Sequence, residues 1–281
     1  APLAQIANLF GRFNNARTAY QRLSAFMEET QAATDAQENN SSIRRPELGD
    51  LEFRAVKFRY PMQEVDTLLD INVKINKGEK VAVLGRNGSG KTTLVKLASG
   101  LFGCSDGIVM YDGVDTKQIH NDDLSRSIGI VLQDVQLFSG SIIENITMGR
   151  EGISQEDIVN AAKITGLDDF LGKVPGGYEM VLQDKGNGLS GGQRQAIAIT
   201  RAIVHKPSHF IFDEPTSAMD MNSEQYFIKN FQETYEDSTL IVVSHRMPLV
   251  NLVDRIIVMS DGKIIDDGPR DEIIKKLQGQ T

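Results

Sequence analysis

The sequence predicts an α/β fold with a mostly parallel sheet, joined by an antiparallel β subdomain, a helical insertion subdomain and an N-terminal amphipathic helix. Three observations predict it. Short continuous apolar runs at 81–84, 128–132, 210–212, 240–243 and 256–259 have the length of strands buried on both faces. Helical patterns lie between them, as they do when helices cover the faces of such a sheet. The stretch from about 135 to 188 breaks that rhythm. Residues 155–166 read as helix, while Gly172, Gly176, Gly177, Gly186 and Gly188 interrupt the rest, which marks an insertion.

From the N-terminus, Ile6, Leu9, Phe13, Ala16, Tyr20, Leu23 and Met27 recur at steps of three and four, placing them on one face of a helix over 1–29. That helix either packs on its own domain or continues from, or docks against, something upstream; the sequence leaves both open. Residues 30–49 lose the period and contain Ser41, Ser42, Arg44, Arg45 and Pro46, so they read as a linker. The main domain is expected over 50–281, with the helical subdomain at about 135–192. Its first strands are Leu51 to Phe58, with an irregularity before Val56, and Ile71, Val73 and Ile75; they are expected to pair antiparallel.

Composition narrows the function classes. The 281 residues suit one main domain with an extension, and 40% hydrophobic residues supply a core. A net charge of −8 argues against a nucleic-acid footprint. No run approaches ~18 apolar residues, so no membrane span is expected. The single cysteine, Cys104, excludes an intramolecular disulfide and is expected to act as a small hydrophobe. The first residues have neither an initiator Met nor a signal-peptide pattern, so the chain is expected to be a piece of a longer polypeptide.

Three segments carry chemistry. Gly85-Arg86-Asn87-Gly88-Ser89-Gly90-Lys91-Thr92 fits the P-loop pattern G-x-x-x-x-G-K-[ST] between a buried strand and a helix, which predicts a P-loop NTPase core. Its backbone N–H groups and the helix N-terminus would surround phosphate oxygens. Lys91 would reach the β- and γ-phosphates, the Thr92 hydroxyl would ligate Mg²⁺, and Thr93 can contact the α-phosphate. The strand 210–212 ends abruptly at Asp213 and Glu214, at the sheet edge where α/β proteins bind ligands. Asp213 would hold Mg²⁺ and Glu214 would polarise an attacking water. Beside a P-loop, this outweighs the blander reading of two carboxylates capping the next helix.

The third segment, Leu189-Ser190-Gly191-Gly192-Gln193, is a second Gly-rich lead into a helix and so a second anion-facing N-terminus. One nucleotide does not need two. Ser190, Gly191, Gly192 and Gln193 are therefore expected to face a nucleotide held by another copy of the chain, in a two-fold pair.

In this order the three segments resemble the ATPase domain of ABC transporters, from Asp50 to about Gln278. The resemblance implies two Mg·ATP bound in a head-to-tail homodimer that hydrolyses at both sites. It places an adenine-stacking aromatic at Tyr60, and at Gln133 a glutamine reaching Mg²⁺ and the attacking water. It puts a loop touching the opposite subunit at Ser217, Ala218, Met219 and Asp220, with Met219 where Leu is commoner. At His245 it puts a histidine that contacts the γ-phosphate; His120, His205 and His209 are left as structural. Residues 138–146 are similar to the stretch of exporters that meets their transmembrane helices.

Residues 2–23 are similar to the cytoplasmic end of the last transmembrane helix in exporters of the type I secretion class, in the branch that exports large adhesins and calcium-binding repeat proteins. Arg45 to Gly49, Asp112 to Asp115 with Gln118 and Ile119, and Pro215 to Asp220 add to that likeness. Gln183 to Gly188 departs from the more acidic sequence usual there. The implied whole is an inner-membrane homodimer whose ATPase faces the cytoplasm, acting with a transmembrane domain of the same polypeptide, a periplasmic adaptor, an outer-membrane channel and a secreted protein substrate. An exporter of lipids, drugs or peptides is the alternative. A non-transport ABC ATPase of the DNA-organising type is remote, because only about a hundred residues separate Lys91 from Leu189, too few for a long coiled coil. A purely regulatory module would be expected to lose Glu214 or His245.

Overall fold

The computed structural model describes residues 43–45, 47–61, 63–183 and 186–279; the expected helix over 1–29 and most of the linker lie outside the described residues. A compact unit runs from Arg44 onward. Arg44, Arg45 and Leu48, read from the sequence as linker, are tied into it. Leu48 is buried in the core, the Arg45 amide donates to Asp123 Oδ2 at 2.7 Å, and the Arg44 guanidinium donates to Asp123 Oδ1 at 3.1 Å.

The chain enters β1 (Leu51–Phe58), which pairs antiparallel with β2 (Leu68–Ile75) and with β4 (Asp106–Tyr111). The small β5 (Val114–Asp115) completes a four-stranded sheet in the order β2-β1-β4-β5. The irregularity before Val56 is a bulge: the register shifts between Phe53 and Val56, and Ala55 takes a φ of 48°. A bulge adds one residue to one strand and sharpens its bend.

The second sheet has six strands in the order β12-β11-β3-β10-β9-β6. These are β3 (Lys80–Gly85), β6 (Ile128–Val131), β9 (His209–Asp213), β10 (Thr239–Val243) and β11 (Arg255–Ser260), all parallel, with β12 (Lys263–Pro269) antiparallel at one edge. All five residues of β9 and of β10 are buried, which is why these segments read as unbroken apolar runs. Side chains alternate between two cores. Ala82, Phe210, Phe212, Leu240 and Val242 face the helical side. Val81, Val83, Ile211, Ile241 and Val243 face the antiparallel sheet and α1 (Lys91–Ala98).

The helical side contains α3 (Ile142–Thr147), α4 (Gln155–Thr165), α5 (Leu167–Leu171) and α6 (Gly191–Ile203), with a hairpin of β7 (Gly140–Ser141) and β8 (Val181–Leu182). Reciprocal capping boxes start three of these helices, at Ser141 with Glu144, Ser154 with Asp157 and Ser190 with Gln193. Helix α2 (Asn121–Ser127) precedes β6, α7 (Met221–Thr234) follows β9, α8 (Met247–Val250) follows β10 and α9 (Arg270–Gln278) ends the fold. Among the described residues no helix is long and apolar enough to cross a membrane.

Candidate functional site

Strands β3, β10, β9 and β6 are consecutive neighbours in the sheet, and each delivers a residue at or just past its carboxyl end: the loop from Gly85, His245, Asp213 with Glu214, and Gln133. Parallel order thus gathers residues from four distant parts of the chain at one sheet edge.

The loop after β3 depends on two glycines. Gly85 has a φ of 152°, and a Cβ there would sit 2.2 Å from the Met259 carbonyl oxygen. Gly90 has a φ of 100°, with Leu68 Cδ2 only 2.6 Å from where its Cβ would lie. No side chain caps the N-terminus of α1, so its first amides remain available to an anion. Lys91 is buried, and its ammonium donates to the carbonyls of Gly85 at 2.7 Å and Arg86 at 2.9 Å. Burial lowers its pKa, and the charges of Asp213 and Glu214 oppose that shift. The hydroxyl of Ser89 is buried in the same loop without a hydrogen-bond partner.

Thr92 Oγ1 donates to Asp213 Oδ2 at 2.6 Å. Burial raises the Asp213 pKa, with Thr92 and Lys91 pulling the other way. Glu214 holds a φ of 50°, a left-handed conformation costing a non-glycine residue roughly 1–2 kcal/mol. Its N–H donates to the Val243 carbonyl at 2.8 Å. Its carboxylate accepts from Ser244 Oγ at 3.1 Å and from the His245 amide at 3.3 Å. Its backbone and carboxylate are both fixed by the end of β10.

Asn87, Gly88, Gly90, Lys91, Thr92, Thr93, Gln133, Asp213, Glu214 and His245 line one cavity of about 270 Å³, together with Thr67 and Val243. Of the P-loop residues expected to bind phosphate, Gly85, Arg86 and Ser89 are not part of that lining; Arg86 is exposed and Ser89 is buried. Tyr60 lies beside it: its hydroxyl is 3.1 Å from Thr93 Oγ1, and its ring meets Phe58 edge-on at 4.9 Å.

Ser190, Gly192 and Gln193 line a different concavity of about 560 Å³, with Met219 and Asp220. Ser217 and Ala218 are exposed, as a contact to another subunit requires. The Met219 side chain is 6% exposed and packs in its own core while bordering that concavity. The turn closed by the Met219 amide on the Thr216 carbonyl at 3.0 Å rolls Met219 inward. Asp220 caps α7, accepting from the amides of Asn222 and Ser223.

Sequence reasoning missed three buried or half-buried polar residues behind the site. Gln195 lies on the buried stripe of α6 with Ile199, Ala202 and Ile203, and Glu224 on that of α7 with Phe227 and Phe231. A polar residue on an apolar stripe was the available signal. Glu224 accepts from Thr216 Oγ1 at 2.5 Å and pairs with Arg246 Nε at 3.3 Å. Arg246 also donates to the carbonyls of Thr216 and Met219, tying the segment beside His245 to the loop after Glu214. The histidines expected to be structural fit that role: His209 is buried against the Gly49 carbonyl, and His120 caps α2. Cys104 is only half-buried, its thiol on the Gly107 carbonyl.

Among the described residues no cluster of three or more His, Cys, Asp or Glu side chains could hold a metal by itself. The oxygen donors Thr92, Asp213 and Gln133 instead share the cavity with the phosphate-facing loop. That fits Mg²⁺, a hard ion that takes one or two protein oxygens and completes its shell with phosphate and water.

Comparison with known proteins agrees with this arrangement. The model of the ABC transporter family matches residues 68–217. The chain is 38% identical over 280 residues to the leukotoxin translocation ATP-binding protein LktB of a Pasteurella haemolytica-like species, covering 99% of this chain and 39% of LktB. It is 37% identical over 277 residues to the alpha-hemolysin translocation ATP-binding protein HlyB of Escherichia coli, covering 98% of this chain and 38% of HlyB. The chain thus spans about two fifths of the length of these relatives. A solved bacterial Atm1-family ABC exporter with ATP bound superposes with a TM-score of 0.77 at 30% identity, over 82% of this chain and 40% of that one. With a family match that runs from β2 past the two carboxylates at the end of β9, on a site built to hold a nucleoside triphosphate, this chain belongs to the ABC transporter family and forms its ATPase domain.

Proposed function

We propose that this domain works as a head-to-tail homodimer around two Mg·ATP and powers export of a large secreted protein by type I secretion. The observation that carries the dimer is the separation of the two phosphate-facing helix starts. The P-loop opens into one cavity and Ser190, Gly192 and Gln193 into another, so the second start is free to meet a nucleotide held by a second copy. The named functions of LktB and HlyB, leukotoxin and alpha-hemolysin translocation, support the export reading.

In this reading residues 50–281 form the ATPase domain, with 135–192 as its helical insertion. Residues 1–29 lead in from a transmembrane domain of the same polypeptide at the cytoplasmic face of the inner membrane. A periplasmic adaptor and an outer-membrane channel would complete the path. The P-loop residues Gly85 to Thr93 surround the phosphates, with Lys91 at the β- and γ-oxygens. Tyr60 stacks on adenine, Thr92, Asp213 and Gln133 hold Mg²⁺, and the exposed Ser217 and Ala218 meet the second subunit. Bound Mg²⁺ would neutralise charge on the β- and γ-phosphates.

Glu214 orients a water and takes its proton as the water oxygen bonds to the γ-phosphorus and the bond to the β-bridging oxygen breaks, leaving ADP and phosphate. His245 contacts the γ-phosphate and keeps that water in line. The strained backbone of Glu214 and its bonds to Ser244 and His245 fix the base before substrate arrives. Glu214→Gln should bind ATP normally and accumulate as a closed dimer in light scattering at millimolar ATP. A monomeric variant under those conditions would overturn the dimer.

A further inference from the structure

The amide of Gln195, 4% exposed inside α6, touches three separate groups. Its Oε1 accepts from the Ala218 N–H at 2.8 Å. Its Nε2 donates to Ser217 Oγ at 2.8 Å and to the Glu214 carbonyl at 3.3 Å. The pattern fixes which way the amide points, because a backbone N–H only donates and a carbonyl only accepts. The loop carrying Ser217 and Ala218 is also packed hard against the start of the same helix. A Cβ on Gly191 would lie 2.9 Å from Ala218 Cβ, and one on Gly192 would lie 3.2 Å from the Ala218 oxygen.

We propose that Gln195 is a positioning residue that mechanically links the two ATP sites of the dimer. The proposal rests on the head-to-tail reading above. There, the start of α6 faces the nucleotide of the partner copy, while Glu214 serves the nucleotide of its own chain. Gln195 joins the two within one chain, two helical positions past the Gln193 of the capping box. A shift of α6 on engaging the partner's nucleotide moves the 217–218 loop through van der Waals contact, and moves the Glu214 backbone through the amide. The Glu214 N–H is held by the Val243 carbonyl, and its left-handed backbone carries the Glu214 carbonyl to Gln195 Nε2 and the Ser217 amide, so a shift of α6 reaches that backbone through this carbonyl. Engagement of one nucleotide thereby sets the base at the other.

Gln195→Met keeps the length and buried packing of the side chain and removes all three hydrogen bonds. The expected result is a fall in kcat of roughly 10- to 100-fold, the range for small misplacement of a catalytic group. The ATP concentration at half saturation should stay within about two-fold. Gln195→Glu separates the two halves of the link. It can still accept from Ala218 and from the Ser217 hydroxyl, but it sets a carboxylate against the Glu214 carbonyl, so its kcat should fall with that of Gln195→Met. Ser217→Ala trims an exposed hydroxyl that cannot disturb the core, and should lower kcat less, in the same direction.

An unchanged kcat in Gln195→Met, or full activity in Gln195→Glu, overturns the link to Glu214. Combining Gln195→Met with Glu214→Gln should leave ATP-dependent dimerisation intact in light scattering. Loss of the dimer in that double variant alone overturns the proposal, because Gln195 would then act in closure. A monomeric Glu214→Gln single variant would instead overturn the dimer reading beneath it.

Discussion

The start of α1 and the start of α6 are both glycine-rich helix N-termini, yet their protein partners differ. At α1 no side chain caps the helix, Lys91 is buried against loop carbonyls, and the Ser89 hydroxyl has no hydrogen-bond partner. At α6 the exposed Ser190 and the half-buried Gln193 satisfy one another: Ser190 Oγ accepts from the Gln193 amide and Gln193 Oε1 accepts from the Ser190 amide. The uncapped amides at the start of α1 lack protein partners, so an anion entering the cavity there satisfies donors that would otherwise go unpaired. A self-capped helix offers only its dipole and a spare hydroxyl proton. On the proposed head-to-tail reading, the first start captures a nucleotide and the second recognises one already captured.

The largest expected effect breaks the comparison if it fails. Lys91→Ala should reduce ATP affinity by roughly 100-fold or more, since it removes a charge-assisted contact and its ion. Ser190→Ala should leave affinity for the isolated chain within a few-fold in the same fluorescent-nucleotide titration, and lower kcat by roughly 10-fold or more. It should also cost about 1 kcal/mol of stability from the lost cap. Equal losses of affinity in the two variants would mean that both helix starts bind the same nucleotide.

The glycines sharpen the contrast. Gly88 has a φ of 81° and no protein atom near any added Cβ, so Gly88→Ala should cost the nucleotide-free chain about 1–2 kcal/mol of backbone strain. Gly191 lies in the helix, where the obstacle is Ala218. Gly191→Ala should push the 217–218 loop aside at a cost of about 1–3 kcal/mol in chemical denaturation, and lower turnover through the displaced loop. Unimpaired turnover in Gly191→Ala would show that the loop's seat on α6 does not matter to the chemistry.

How much was legible follows from the range of each interaction along the chain. The runs at 81–84 and 240–243 became β3 and β10 because burial on both faces writes itself as local hydrophobicity. The P-loop is legible for a related reason: all its groups lie within a few residues. Strands β7 and β8 are two residues each, too short to show any period. Gln195, Glu224 and Arg246 are buried or half-buried polar groups whose partners lie 8 to 30 residues away, so no single segment announces them. That the Met219 side chain turns into its own core was not legible, because composition records that a loop residue is apolar and not which way the turn rolls it. Tertiary turns and satisfied buried polar groups are properties of the assembled chain.

The two regions also contrast in acid. Burial raises the Asp213 pKa on the P-loop side. On the α6 side, burial first and then the charge of Arg150 push His205 down to about 4. Arg150 donates to His205 Nδ1 at 2.8 Å, so the ring is held neutral. A group whose folded pKa is depressed below its unfolded value takes up protons on unfolding between the two. For His205 that interval runs from about 6.5 down to about 4, and stability present at pH 7 is lost as the pH falls through it. Asp213, shifted upward, acts in the opposite sense and resists acid. Because His205 is only partly buried, its contribution is on the order of 2 kcal/mol. His205→Gln keeps an acceptor for Arg150 and removes the titration. Urea denaturation at pH 7 and at pH 4.5 should therefore show a smaller loss of stability in His205→Gln than in the unsubstituted chain. Equal losses in the two would place the acid sensitivity elsewhere than beneath the end of α6.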